Sequence, residues 1–231
     1  MRILPALATA ALLYSPVWAE DAKSTISVTG EGHVAVAPDM ATVSLGVMTD
    51  GDSAKSALDA NNAAIAAVLE KLKSAKIEDR DVQTSGLSLG PRYDYSSSNP
   101  DGTQKVTGYV ASNMVTVRVR ALDTVGGVLD AVVTNGANTL NGITFGLADD
   151  TAATDAARKG AVEDARRKAD LYATAAGVKL GKILSISEQG SYMPPMPMPM
   201  AEASFKAGAV PVAGGELGVT ATVSVIYELT E

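Results

Sequence analysis

The stretch Ala41-Thr-Val-Ser-Leu-Gly-Val-Met-Thr49 sets Val43, Leu45 and Val47 on one side and Thr42, Ser44 and Met48 on the other. That is the period-two signature of a strand with one buried face. Directly after it, residues 53–73 place Leu58, Ile65, Val68, Leu69 and Leu72 at helical spacing, with Asp52 or Ser53 positioned to cap the first turn. A second strand is predicted over residues 82–89. The same plan then recurs. Residues 113–121 turn Val115, Val117 and Val119 inward and Thr116, Arg118 and Arg120 outward. Asp123 stands ahead of a helical pattern of Val125, Val128, Leu129, Val132 and Val133, which Gly136 can end in a left-handed conformation. Residues 140–147 read as the returning strand. The two strand–helix–strand units have the look of a duplication.

A longer helix follows from Asp150 or Thr151 to Ala176, stopped by Gly177. Its predicted contact stripe is Ala157, Ala161, Ala165, Ala169, Tyr172 and Ala176, almost all methyl groups, so it is expected to approach its partner closely. Its other face pairs Glu163 with Arg167 and Asp164 with Lys168 at four-residue spacing, the pattern of a solvated ion-paired surface. Residues 183–188 form a short strand, and residues 219–229 alternate Val219, Ala221, Val223, Val225, Tyr227 and Leu229 as the clearest strand of all. The predicted fold is therefore α+β: helices packed on one face of a largely antiparallel sheet, built from two strand–helix–strand units plus the long helix and the C-terminal strand.

Residues 1–19 read as a secretory signal peptide. Arg2 precedes an apolar run, Val17-Trp-Ala19 supplies small residues at the cut, and Glu20-Asp21 follows. The predicted mature chain is residues 20–231, one domain exported to the periplasm. Loss of Arg2 takes its net charge from −7 to −8, which argues against nucleic acid as a partner. No later apolar run is long enough to span a bilayer. The chain has no cysteine, which excludes thiol chemistry, Fe–S clusters and Cys-type zinc sites.

Residues 190–218 form a long Met/Pro-rich loop, expected to be flexible. Met193, Met196, Met198 and Met200 are soft thioether ligands of the kind that suits Cu(I). The prolines between them favour polyproline II, whose three-residue turn puts Met193 and Met196 on one edge and the other two elsewhere. Such a rod cannot converge four sulfurs without bending, so a loop or a docking strap is the plainer reading. His33, the only histidine, is the one candidate general base for a Ser–His–Asp arrangement, but no nucleophile elbow accompanies it. Asp149 with Asp150, and Asp79 with Asp81, are paired acids; Asp150 at a helix start is better explained as a cap. Gly30-Glu-Gly32 is too short for a dinucleotide fingerprint. No catalytic or cofactor-binding residue is assigned.

Several stretches together resemble the SIMPL-domain family. They are residues 26–39 (Ile-Ser-Val-Thr-Gly-Glu-Gly-His-Val-Ala-Val-Ala-Pro-Asp), Asp81-Val-Gln-Thr84, Pro91-Arg-Tyr-Asp-Tyr95 and Gly108-Tyr-Val-Ala-Ser-Asn113. Asn135-Gly-Ala-Asn138 with Phe145, Ala175-Ala-Gly-Val178 and the tail at 214–223 complete the pattern. Within the family the chain is most similar to the periplasmic immunogenic antigens, also described as outer-membrane-associated. The resemblance implies an exported bacterial α/β protein, often a homo-oligomer, with no established enzymatic activity. The function expected is a non-catalytic role through self-assembly or binding of envelope proteins. The alternative is periplasmic copper or other metal handling, or stress protection, through the Met-rich loop. If strand 219–229 lies at a sheet edge, its unpaired backbone would template pairing with a second chain.

Overall fold

Ser53 closes a reciprocal capping box with Ser56 at the head of the first helix, at 3.1 Å in each direction. The strand–helix order read from the sequence follows from there. The computed structural model describes residues 24–98, 104–189, 196–198 and 212–231. In chain order the elements are β1 (Thr25–Val36), β2 (Met40–Gly51), α1 (Ala54–Ser74), a 3-10 turn (Asp79–Asp81), β3 (Val82–Ser98) and β4 (Gln104–Val119). A second 3-10 turn (Leu122–Thr124), α2 (Val125–Thr134), β5 (Thr139–Gly146), α3 (Thr151–Ala176), β6 (Lys179–Gln189), β7 (Met196–Met198) and β8 (Glu216–Thr230) follow.

The class is α+β with antiparallel pairing, as predicted, but the strands divide into two sheets of four. One has the order β3-β4-β2-β5; the other has β1-β8-β6, with β7 also paired to β8. The division has a local cause. Ala37-Pro38-Asp39 follows β1, and Pro38 lacks the amide that a tight β1–β2 hairpin needs. Instead the Asp39 amide donates to the Gly146 carbonyl at 3.1 Å, and its carboxylate accepts from the Ala148 amide at 2.7 Å. The chain is thus handed from one sheet to the other, and β1 pairs with β8 from the opposite terminus across twelve residues in unbroken register.

The first core sits between β2/β4 and α1/α2. Val43, Leu45, Val47, Val115, Val117 and Val119 meet Ile65, Val68, Leu72, Val128, Leu129 and Val132. Asn61, not Leu58, occupies the centre of the α1 contact face; its amide nitrogen donates to the Val47 and Ala111 carbonyls at 2.9 and 3.1 Å. Leu69 and Val133, expected inside, are exposed. The second core sets Val28, Val219, Val223, Val225 and Tyr227 against the alanines of α3.

The α3 stripe corrects the expected one at its end: after Ala169 it runs to Ala173, leaving Tyr172 and Ala176, both expected inside, exposed. The contact follows the straight four-residue ridge of the helix, which is inclined to the helix axis, so the seam drifts away from the side on which Tyr172 stands. Gly177 ends the helix at φ +73°, as expected. Arg167 turns to Asp164, which also holds Lys168. The structure decides the open question of strand 219–229: β8 is an interior strand, flanked by β1 on one side and by β6 and β7 on the other. Among the described residues its backbone is thus paired with β1 on one side and, over residues 216–218 and 222–230, with β7 and β6 on the other.

Candidate interaction edges

The residues singled out for chemistry are scattered by the fold. His33 lies exposed on β1, with Nδ1 3.2 Å from the Thr220 hydroxyl and Nε2 3.7 Å from Glu31, on the sheet face away from α3. Asp149 is engaged by Thr151, whose hydroxyl first and whose amide, donating at 3.0 Å, second hold its carboxyl below the ordinary carboxylate range. Asp150 takes the N-cap position of α3, and its carbonyl accepts from the Thr154 amide at 2.8 Å. Asp81 is engaged by Arg120 through two bonds of 2.8 Å each, and that guanidinium is the first cause of its lowered pKa. The Asp79/Asp81 pair therefore does not stand as two facing acids. Met193 and Met200 lie outside the described residues, as does the signal peptide. Residues 196–198 pair with residues 216–218 as a short strand rather than forming a polyproline rod. Among the described residues no three acids or histidines cluster as a metal site, and no helix is long and apolar enough to cross a membrane.

What the fold does present is unpaired strand edge carrying apolar side chains. On β6, the register puts Ile183 opposite Tyr227 and Ile186 opposite Val225, so both lie on the face that α3 covers elsewhere. α3, however, sits over β1 and β8. Ile183, Leu184 and Ile186 are left 44%, 43% and 51% exposed, and among the described residues no strand pairs the outer side of β6. The other sheet repeats the arrangement at β3. Leu87 and Leu89 lie opposite Asn113 and Ala111 and are exposed beyond α1. Below them runs a shallow groove of about 330 Å³ between α1 and β3, whose apolar lining is Leu69, Leu72, Ile77 and Val82. Edges of this kind are where an extended segment of another chain can add as a strand, with the backbone giving affinity and the side-chain strip giving specificity. The sequence reading missed both, because apolar residues at period two look alike on an interior and an edge strand.

The family model for SIMPL, a protein of unknown function (DUF541), matches residues 26–227. The chain belongs to the SIMPL family. Among its relatives, the 26 kDa periplasmic immunogenic protein of Brucella melitensis is 40% identical to this SIMPL chain over 227 residues, covering 93% of this chain and 90% of the relative. The uncharacterized protein YggE of Escherichia coli K12 is 30% identical over 191 residues, covering 83% and 75%. The solved regulatory subunit of aspartate kinase from Thermus flavus is 12% identical with a TM-score of 0.20, over 87% of this chain and 90% of that one, too low to bear on the fold.

The stretches that carry the SIMPL resemblance have structural work in this chain. A Cβ on Gly30 or Gly32 would lie 2.0 Å or 1.9 Å from the carbonyl oxygens of Ala161 and Ala157, so these glycines let α3 rest on the β1 backbone. Asn138 extends β5 by imitation: its side-chain oxygen accepts from the Met48 amide at 2.8 Å and its nitrogen donates to the Met48 carbonyl at 2.7 Å. Arg92 reaches Asp50 at 2.8 Å and ties β3 to the end of β2.

Proposed function

We propose that this SIMPL protein is a non-catalytic component of the bacterial periplasm that works by binding, to itself or to other envelope proteins, along open strand edges. The observation that carries the reading is the exposed apolar strip Ile183-Leu184-Ile186 on an outer strand with no partner among the described residues. The periplasmic assignment is supported by the printed name of the Brucella relative and by the signal-peptide grammar of residues 1–19. The non-catalytic assignment is supported by the spent or dispersed state of each candidate residue: Asp81 on Arg120, Asp149 on Thr151, His33 on the sheet face away from α3.

Sedimentation velocity of residues 20–231 at micromolar concentration tests the association. The expected result is a species larger than a monomer. The double variant Ile183→Lys with Ile186→Lys should shift it to the monomer, because two like charges beside an added strand oppose pairing. A native chain that sediments as a monomer across the range sinks self-association. An oligomer unaffected by the lysines sinks the assignment to β6.

A further inference from the structure

β1 is also an outer strand, and its backbone is not free. The Glu31 amide donates to Asp164 Oδ2 at 3.0 Å, and the Thr29 carbonyl accepts from Lys168 Nζ at 2.9 Å. The two side chains are joined to each other at 2.7 Å. Backbone groups on a strand alternate in direction, so positions 29 and 31 present theirs to the same edge. β8 occupies the other edge. In a parallel pairing, one residue of an incoming strand donates to carbonyl i and accepts from amide i+2. Lys168 and Asp164 supply that donor and that acceptor from a helix.

Two features of the sequence make the reach possible. Four residues of helix rise about 6.0 Å, close to the roughly 6.7 Å spanned by two residues of strand. α3 runs against β1 in this four-to-two register: Gly32 lies under Ala157 and Ala161, Gly30 under Ala161 and Ala165, and the pair 164/168 falls beside 31/29. A carboxylate as short as aspartate reaches a neighbouring strand only if the helix lies on the backbone, which the two glycines and the alanine ridge allow. Arg167 adds a second cation on Asp164.

We infer that Asp164 and Lys168 form a charged clip that occupies the β1 edge as a substitute strand, closing it to strand addition and restricting association to the other edges. This goes beyond the association reading and stands whether or not β6 pairs. The test uses residues 20–231 and the double variant Asp164→Ala with Lys168→Ala, beside Asp164→Asn, which keeps a side-chain oxygen to accept the Glu31 amide. Each carries Ser27→Cys as the only thiol in a chain without native cysteine, labelled with a nitroxide. The expected result is at least a tenfold rise in Glu31 amide exchange in the double variant, with a new dipolar coupling between the labels of two copies. Asp164→Asn should keep the native behaviour on both counts. Far-UV circular dichroism confirms that each variant is folded. Should the double variant unfold, Lys168→Met, which keeps the apolar stem and frees only the Thr29 carbonyl, should show the coupling at reduced amplitude. Equal Ser27 coupling in the native background overturns the clip, as does a folded, clip-free chain with no coupling. Association through β6 leaves Ser27 on the far edge of the sheet, so a monomeric native chain would refute the association reading and leave the clip standing.

Discussion

Replacing Gly30 with alanine adds one methyl group at the seam on which the second layer depends. The new Cβ would stand 2.0 Å from the Ala161 carbonyl oxygen, 2.6 Å from the Ala165 amide nitrogen and 2.7 Å from the Ala165 Cβ. Two of these neighbours are helix backbone, so no rotamer change relieves the contact; α3 must withdraw as a body. A gap of about 0.5–1 Å forfeits about a quarter to a half of the dispersion energy across a seam, and this seam is built of methyl groups with little else to offer. Overpacking costs about 1–3 kcal/mol, and the rigid obstacle places Gly30→Ala at the top of that range. The lost freedom of glycine in the unfolded chain returns up to ~1 kcal/mol. The net expectation is a loss of about 2–3 kcal/mol, which for a chain of this size lowers Tm by about 5–10 °C. A far-UV circular dichroism melt measures it, since the only tryptophan, Trp18, lies in the predicted signal peptide. Gly127→Ala is the control: no atom lies within 4 Å of the added Cβ, and a glycine-to-alanine change in a helix stabilises by about 0.5–1 kcal/mol. A Gly30→Ala chain that melts at the native temperature, with Gly127→Ala behaving as stated, would refute the argument that these glycines set the distance of α3 from β1.

Arg120→Ala leaves the Asp81 carboxylate, 4% exposed, without its two-pronged partner. The expected loss is about 2–3 kcal/mol in urea unfolding, less than the ~3–5 kcal/mol of a fully buried pair because Arg120 itself is half in solvent. The acid limb of stability carries a second signature. Lys168, then the Glu31 amide and Arg167, hold Asp164 at a folded pKa of about 2, below its ordinary 3.8. A depressed carboxylate contributes stability that is fully present above the unfolded value and lost as pH falls toward the folded one. The native chain should therefore lose more stability between about pH 4 and pH 2 than Asp164→Asn does. Asp81 and Asp149 are also lowered and act in both chains alike. Parallel curves for the two chains would remove the clip's electrostatic share.

Local pattern carried most of the elements because local pattern is what makes them. Val219 to Tyr227 alternates and is buried in alternation; residues 151–176 run as one helix and stop at Gly177 in the left-handed region. β3 and β4 extend beyond the predicted spans and pair antiparallel as far as Ser98 and Gln104, since the aromatic Tyr93 and Tyr95 favour a strand. The division into two sheets was not legible. Period two fixes which side of a strand is buried and says nothing of its neighbour, so the pairing of β1 with β8, almost two hundred residues apart, leaves no mark in either segment.

The candidate site was less legible still, for the same reason. The second face of strand 219–229, Thr220, Thr222, Ser224 and Glu228, is only weakly charged, which suits an edge strand as well as an interior one. In the fold that face is the open side of an interior strand, where short hydroxyl side chains facing water suffice. Asp164 and Lys168 read as a solvated i,i+4 pair, and the pair is indeed formed. Their second bonds, to the backbone of residues 31 and 29, depend on a partner about 135 positions away. Charge spacing on a helix can show that two side chains meet each other, but a strand edge within their reach is visible only once the glycines of β1 and the alanines of α3 are known to touch. Gly30-Glu-Gly32 is too short for a ligand motif; its meaning lies in the spacing of the alanines at 157, 161 and 165, the sequence signal that joins the two segments. A small-x-small step on a strand beside a small-x-x-x-small ridge on a helix is thus a readable sign of backbone contact, and charged residues flanking that ridge are the ones placed to act on the strand's edge.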